Sequence, residues 1–141
     1  MTATLLSLPL PAPKREAASQ DHKHWGQLQG SSAALCISQA LSQYKGPIVL
    51  ITADTPSAMK LEKEIAFFLS DNKHNTPITL FPDWETLPYD SFSPHQDIVS
   101  QRLETLFRFT QQGDGIFIVP VNTLKQRQAP TDYLAKYLLL L

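Results

Sequence analysis

"IVLITADTPSAMKLEKEIAFF", residues 48–68, sets two hydrophobic periods end to end. Residues 48–52 are a short, unbroken apolar run rich in β-branched side chains, the pattern of a buried parallel strand. Thr55-Pro56 then reads as an N-cap followed by proline at the first helical position, where its missing N–H would have no partner anyway. Ala58, Leu61, Ile65 and Phe68 follow at intervals of three and four, so they share one face of a helix. A buried strand feeding an amphipathic helix is half of a βαβ unit.

The flanking sequence continues the alternation. Upstream, Ser31 or Ser32 is placed to cap a helix from about Ala33 to Tyr44, stopped by Gly46-Pro47. Downstream, "ITLF", residues 78–81, is the next strand, and a long loop leads to "SPHQ" at 93–96. There Ser93 would cap a helix, Pro94 open it and Gln96 close a capping box, with Val99, Leu103 and Leu106 as the apolar stripe. "IFIVP", residues 116–120, is a third strand after Gly113 and Gly115, followed by one or two short helices. The fold class is therefore α/β: a right-handed parallel sheet with helices on both faces. Ligands of such sheets sit at the carboxyl ends of the strands. That edge should carry the loop at Gly30, the Ala53-Asp54 turn, the loop from Pro82 and the turn at Pro120.

Composition narrows what could bind there. The 141 residues, 43% of them hydrophobic, suit one compact domain with a core of its own. The formal net charge is -1, and the 12 Lys and Arg are scattered from Lys14 to Lys136, which leaves no basic footprint for nucleic acid or an anionic membrane. A single cysteine, Cys36, among Leu35 and Ile37 reads as a small buried hydrophobe, and no run of about 18 apolar residues could span a bilayer. A reducing, cytoplasmic setting is expected. Residues 1–24, with Pro9, Pro11 and Pro13, read as a flexible arm, and 25–136 as the α/β subdomain. The four leucines of "YLLLL", 137–141, stand with no polar cap after them, so the chain reads as a piece of a longer polypeptide.

"GQLQGSSAAL", residues 26–35, has the outline of a phosphate-binding loop: glycine, small residues, then the start of a helix. A working loop reads G-x-x-x-x-G-K-[ST], its lysine on the β and γ phosphates and its hydroxyl on magnesium. Aligned through Gly30, the second glycine is Ser32, the lysine is Ala33 and the hydroxyl residue is Ala34. Two charge-assisted contacts of about 1.5–3 kcal/mol each are missing, so affinity should fall by a factor on the order of 10² to 10⁴. Gly30, Ser31, Ser32, Ala33 and Ala34 are thus expected to form a degenerate loop that holds no ATP, and an ordinary strand-to-helix turn has the same pattern.

Other constellations are weaker. The loop from Asp83 combines Trp84, Tyr89 and Phe92 with Asp83, Glu85 and Asp90, and no Lys or Arg occurs between Lys73 and Arg102. Aromatics interleaved with acids suit packing or a protein contact rather than stacked bases. Trp84, Leu87 and Phe92 folding back on the strand edge is one reading, and a docking surface for a protein is the other. His95 and Asp97 lie in one helical turn, but no nucleophile is identifiable beside them, and the dipole explains the aspartate. Asp21, His22 and His24 lack a fourth ligand for a metal. No catalytic residue, metal site or cofactor is expected.

One string is specific. "DWETLPYDSFSPHQDIVSQRL", residues 83–103, with "GPIVLITAD" (46–54) and "IVPVNTLKQR" (118–127), resembles the N-terminal part of the bacterial transcription-repair coupling factors, the Mfd family. The similarity runs from about Trp25 to the end and implies that "YLLLL", 137–141, starts the subdomain that follows. The resemblance implies the first subdomain of a module similar to the excision-repair protein UvrB, a helicase-like α/β domain (domain 1a-like) whose UvrB counterpart has a complete phosphate loop. "GSSAA", residues 30–34, lacks its lysine and threonine, as modules of this family do, and would be the relic of an ATP site kept as scaffold. UvrB also carries a tyrosine-rich hairpin that grips DNA, in the region matching residues 83–97, where only a short loop stands here. The family as a whole is implied to displace stalled RNA polymerase with a C-terminal ATP-driven DNA translocase and to recruit UvrA through the UvrB-like module, in nucleotide excision repair of DNA damage. For this chain the implied role is a non-catalytic platform, partnered by UvrA and the protein's other domains, with polymerase and DNA met only through domains outside it. The alternatives are one wall of a shared ATP site in a motor, or a DNA-binding module.

Overall fold

The computed structural model describes residues 24–41, 44, 46–70, 76–84, 86, 91, 93–111, 115–128 and 130. The element order is α1 (Ser32–Leu41), β1 (Pro47–Thr52), α2 (Thr55–Leu69), β2 (Ile78–Leu80), α3 (Gln96–Gln111), β3 (Gly115–Pro120) and α4 (Val121–Leu124). The three strands form one parallel sheet in the order β1-β3-β2, with Ile116 opposite both Ile48 and Ile78, and Ile118 opposite both Leu50 and Leu80. The parallel α/β class expected from the strand and helix alternation is the architecture observed. The arm at residues 1–23 and the terminal segment 137–141 lie outside the described residues.

Alternation along the strands sorts the sheet's two faces. Ile116 and Ile118 are fully buried with Ala34 of α1 and with Ala58 and Ile65 of α2, and Leu50, Leu61, Phe68, Ile78 and Leu80 pack around them. All four positions of the expected α2 stripe therefore face this core. Alanines at 34 and 58 leave no side-chain bulk, which lets α1 and α2 lie close together over the sheet. On the opposite face, Val49, Phe117 and Val119 look toward α3, whose Phe109 meets Phe117 edge to face at 4.9 Å. Gly46, at φ +148°, turns the chain into β1, and a Cβ there would stand 3.0 Å from the Tyr44 hydroxyl oxygen.

Two caps differ from expectation. The N-cap of α2 is Asp54, not Thr55: its backbone is extended and its carboxylate accepts from the Ser57 amide at 2.8 Å, so Thr55 and Pro56 are the first two helical residues. Aspartate accepts better than threonine here because it also carries the charge that the helix dipole favours. The α3 helix starts at Gln96, the His95 carbonyl accepting from the amides of Ile98 and Val99. Ser93 is thus three residues outside the helix, and Gln96 opens it instead of closing a capping box.

Hydrogen bonds from Ser57 hold the Asp54 carboxyl below its usual pKa. A folded-state pKa below the unfolded one gives stability that is present above the ordinary carboxylate range and lost as pH falls through the folded value. Acid titration of unfolding is expected to show a smaller loss below about pH 4 in Asp54→Asn than in the native chain. Equal losses in both would show that the cap carries no charge-dependent stability.

Candidate functional site at the glycine loop

The glycine loop enters α1 as its residues dictate. Gly30 takes the left-handed conformation, φ +57°, that glycine adopts without steric cost. The Ser32 hydroxyl and amide both donate to the Gln29 carbonyl, at 2.7 and 3.2 Å, and the Ser31 carbonyl accepts the first α-helical bond, from Leu35. The result is a tight turn that opens directly into the helix.

Its chemistry is opposite to a phosphate's needs. The Ser31 hydroxyl donates to Glu64 Oε1 of α2 at 2.9 Å, so a carboxylate stands against the loop. A phosphate placed there would meet like charge, costing about 1 kcal/mol per charge pair at 4 Å in water and more where water is excluded. Lys60 Nζ lies 3.9 Å from the same Glu64 oxygen, a cation already engaged by the helix's own acid. Ala34, aligned with the hydroxyl that would hold magnesium, is fully buried in the core. A side chain at that position points into packing, not toward a ligand.

Glu64 also fixes where the loop lies. The bond places Ser31 beside the third turn of α2, about 14 Å along that helix from its start. The turns after β1, β2 and β3 gather at the carboxyl edge of the parallel sheet.

At that edge the structure builds a different cluster, around Arg102 of α3. The side chain is 2% exposed, with its guanidinium between two rings, 4.5 Å from the Phe81 centroid and 4.2 Å from that of Trp84. Its Nη1 donates to the Pro82 carbonyl, and Nη2 donates to Gln128 Oε1 at 3.1 Å. Asp83 caps the arrangement: Oδ1 accepts from the Trp84 amide at 2.8 Å and from Gln126 Nε2 at 2.7 Å. Burial lowers the pKa of Arg102, and the Asp83 charge works in the other direction. The cluster ties the loop after β2 to α3 and to the segment after α4.

Two residues of the acidic aromatic loop belong to this cluster. Trp84 and Asp83 fold inward onto Arg102 and are half-buried. Glu85, Tyr89, Asp90 and Phe92 lie outside the described residues, as does Leu87. His95 and Asp97 meet at 3.3 Å on an exposed first turn, a local contact at a helix end. Among the described residues no group of three or more His, Cys, Asp or Glu is placed to hold a metal ion, and no helix is long and apolar enough to cross a membrane. Cys36 is buried in α1.

Fold and site together define a parallel α/β domain with a glycine-serine turn at the start of α1 and a carboxylate hydrogen-bonded to it. No protein-family model matches the chain. It is 43% identical over 121 residues, 86% of its length, to the transcription-repair-coupling factor of Haemophilus influenzae, and 45% identical over 109 residues to that of Escherichia coli K12. The transcription-repair-coupling factor of Rickettsia bellii is 33% identical over 112 residues. The chain belongs to the transcription-repair-coupling factor family. It spans only 10% of the Haemophilus relative and 9% of the Escherichia one.

Proposed function

We propose that this chain is a non-catalytic scaffold domain within the UvrB-like module of a transcription-repair coupling factor, the module that recruits UvrA to stalled RNA polymerase in transcription-coupled nucleotide excision repair. ATP hydrolysis and DNA translocation belong to other parts of the full-length protein. The observation that carries the reading is the Ser31–Glu64 contact, which sets a carboxylate on the loop where a nucleotide would set its phosphates. The small count of basic residues and the inward fold of Trp84 speak against a DNA clamp at this domain.

Isothermal calorimetry is expected to find no saturable ATP binding below millimolar concentration, with or without magnesium. A micromolar dissociation constant would overturn the scaffold reading and favour one wall of a shared ATP site, with Lys60, paired to Glu64, as a candidate cation. The partner is tested separately, by pull-down of UvrA with this chain and with one extended into the following subdomain. Retention by the longer chain alone marks this domain as the platform for the binding surface.

A further inference from the structure

An almost wholly apolar cavity of about 180 Å³ lies between the sheet and α3, with Phe81, Thr105, Phe109 and Phe117 in its wall and Leu124 and Gln128 bordering it. The segment that runs from Leu124 to Gln128 is fastened there by polar side chains. Among the described residues, the backbone hydrogen bonds of 125–128 come from the amides of Lys125 and Gln126, both at its start. Beyond them, Gln126 Nε2 donates to Asp83 Oδ1 at 2.7 Å and Arg102 Nη2 donates to Gln128 Oε1 at 3.1 Å. Gln128 Nε2 folds the segment back on itself, donating to the Thr123 and Gln126 carbonyls at 3.2 and 3.0 Å.

Little apolar surface holds the segment down. Leu124, where it leaves α4, is 52% exposed, and Lys125, Arg127 and Gln128 are exposed as well. A stretch with few buried apolar contacts opens at a lower free energy than the core it lies on. Arg102 has no need to follow, because its two rings and the Pro82 carbonyl remain with it. We propose that residues 125–128 are a strap that opens as a unit while the domain stays folded, with Asp83–Gln126 and Arg102–Gln128 as its latch. Opening uncovers the cavity at Thr105, which is 7% exposed and lies one helical turn after Arg102 on the same side of α3. The strap is a property of the fold, independent of the scaffold reading.

Amide hydrogen exchange in the 141-residue chain separates the strap from the core. Gln126→Ala removes the charge-assisted latch bond and is expected to speed exchange at the amides of residues 125 and 126 on the order of tenfold, relative to their intrinsic rates. Ile65→Val, in the core on the other face of the sheet, should speed the Ile116 and Phe81 amides several-fold and leave those of the strap unchanged. In a chain with Cys36→Ala and Thr105→Cys, the new thiol should react with iodoacetamide on the order of tenfold faster once Gln126→Ala is added. Equal acceleration of strap and core by Ile65→Val overturns the proposal, because the strap then opens only when the domain unfolds. So does a strap exchange rate, or a thiol reaction rate at position 105, that Gln126→Ala leaves unchanged.

Discussion

Arg102→Ala is expected to destabilise the domain by about 3 to 4 kcal/mol and to lower Tm by on the order of 10 °C. The substitution removes two ring-stacked contacts of a desolvated guanidinium, each about 0.5 to 2 kcal/mol. It also leaves the Pro82 carbonyl and Gln128 Oε1 without the donor that satisfies them in a buried place. The hole cannot be refilled easily, because both Phe81 and Trp84 rest on the guanidinium and lose that contact together. Against a total stability of roughly 5 to 15 kcal/mol, such a loss brings the domain near unfolding. Arg102→Lys should fall between the two, since an ammonium keeps the charge but has no flat face to stack. Urea unfolding followed by circular dichroism measures both. A loss below about 1 kcal/mol for Arg102→Ala would show that desolvation of the charge cancels its contacts.

Rebuilding the phosphate loop is expected to fail for a structural reason. Ala33→Lys with Ala34→Thr restores the residue types of a working loop, yet calorimetry should still find no ATP binding below millimolar concentration. The Glu64 carboxylate, held at Ser31 two residues away, competes with phosphate for the added lysine. The added threonine is forced into the core against Ala58 and Ile65, where overpacking costs about 1 to 3 kcal/mol. Ala33→Lys alone, on a half-buried position, should cost about 0.5 kcal/mol or less. Adding Glu64→Gln to the double variant removes the competing charge, and anion affinity should then rise by about tenfold, equivalent to 1.4 kcal/mol. Micromolar ATP binding by the double variant with Glu64 intact would show that the carboxylate does not govern the loop.

How much of this was legible in the sequence depends on how local the cause is. The strand at 48–52 and the stripe Ala58, Leu61, Ile65, Phe68 were readable, because hydrophobic period is a property of adjacent residues. The α2 cap was misplaced by one residue because Asp54 and Thr55 are both good caps and only backbone conformation separates them. The Ser31–Glu64 bond joins residues 33 apart, and no local pattern announces it. Arg102 did leave a trace. It falls three residues after Val99 beside the apolar stripe of α3, as the first Lys or Arg after Lys73 and behind an aromatic loop rich in acids. Its charge placed it on the outer face in any reading by polarity, whereas two aromatic rings and two acceptors make the interior acceptable.

The strand order carries a consequence for biosynthesis. β3 is the last of the three strands to leave the ribosome and is the only one that bonds to both others. Until residues 115–120 emerge, β1 and β2 have no partner in the sheet, and at about 5 to 20 residues per second β1 waits several seconds in that state. The nascent chain therefore passes through an interval with two apolar, unzipped segments and no frame to join them. Ribosome-associated chaperones would find their target in that interval, with release timed by the arrival of "GIFIVP".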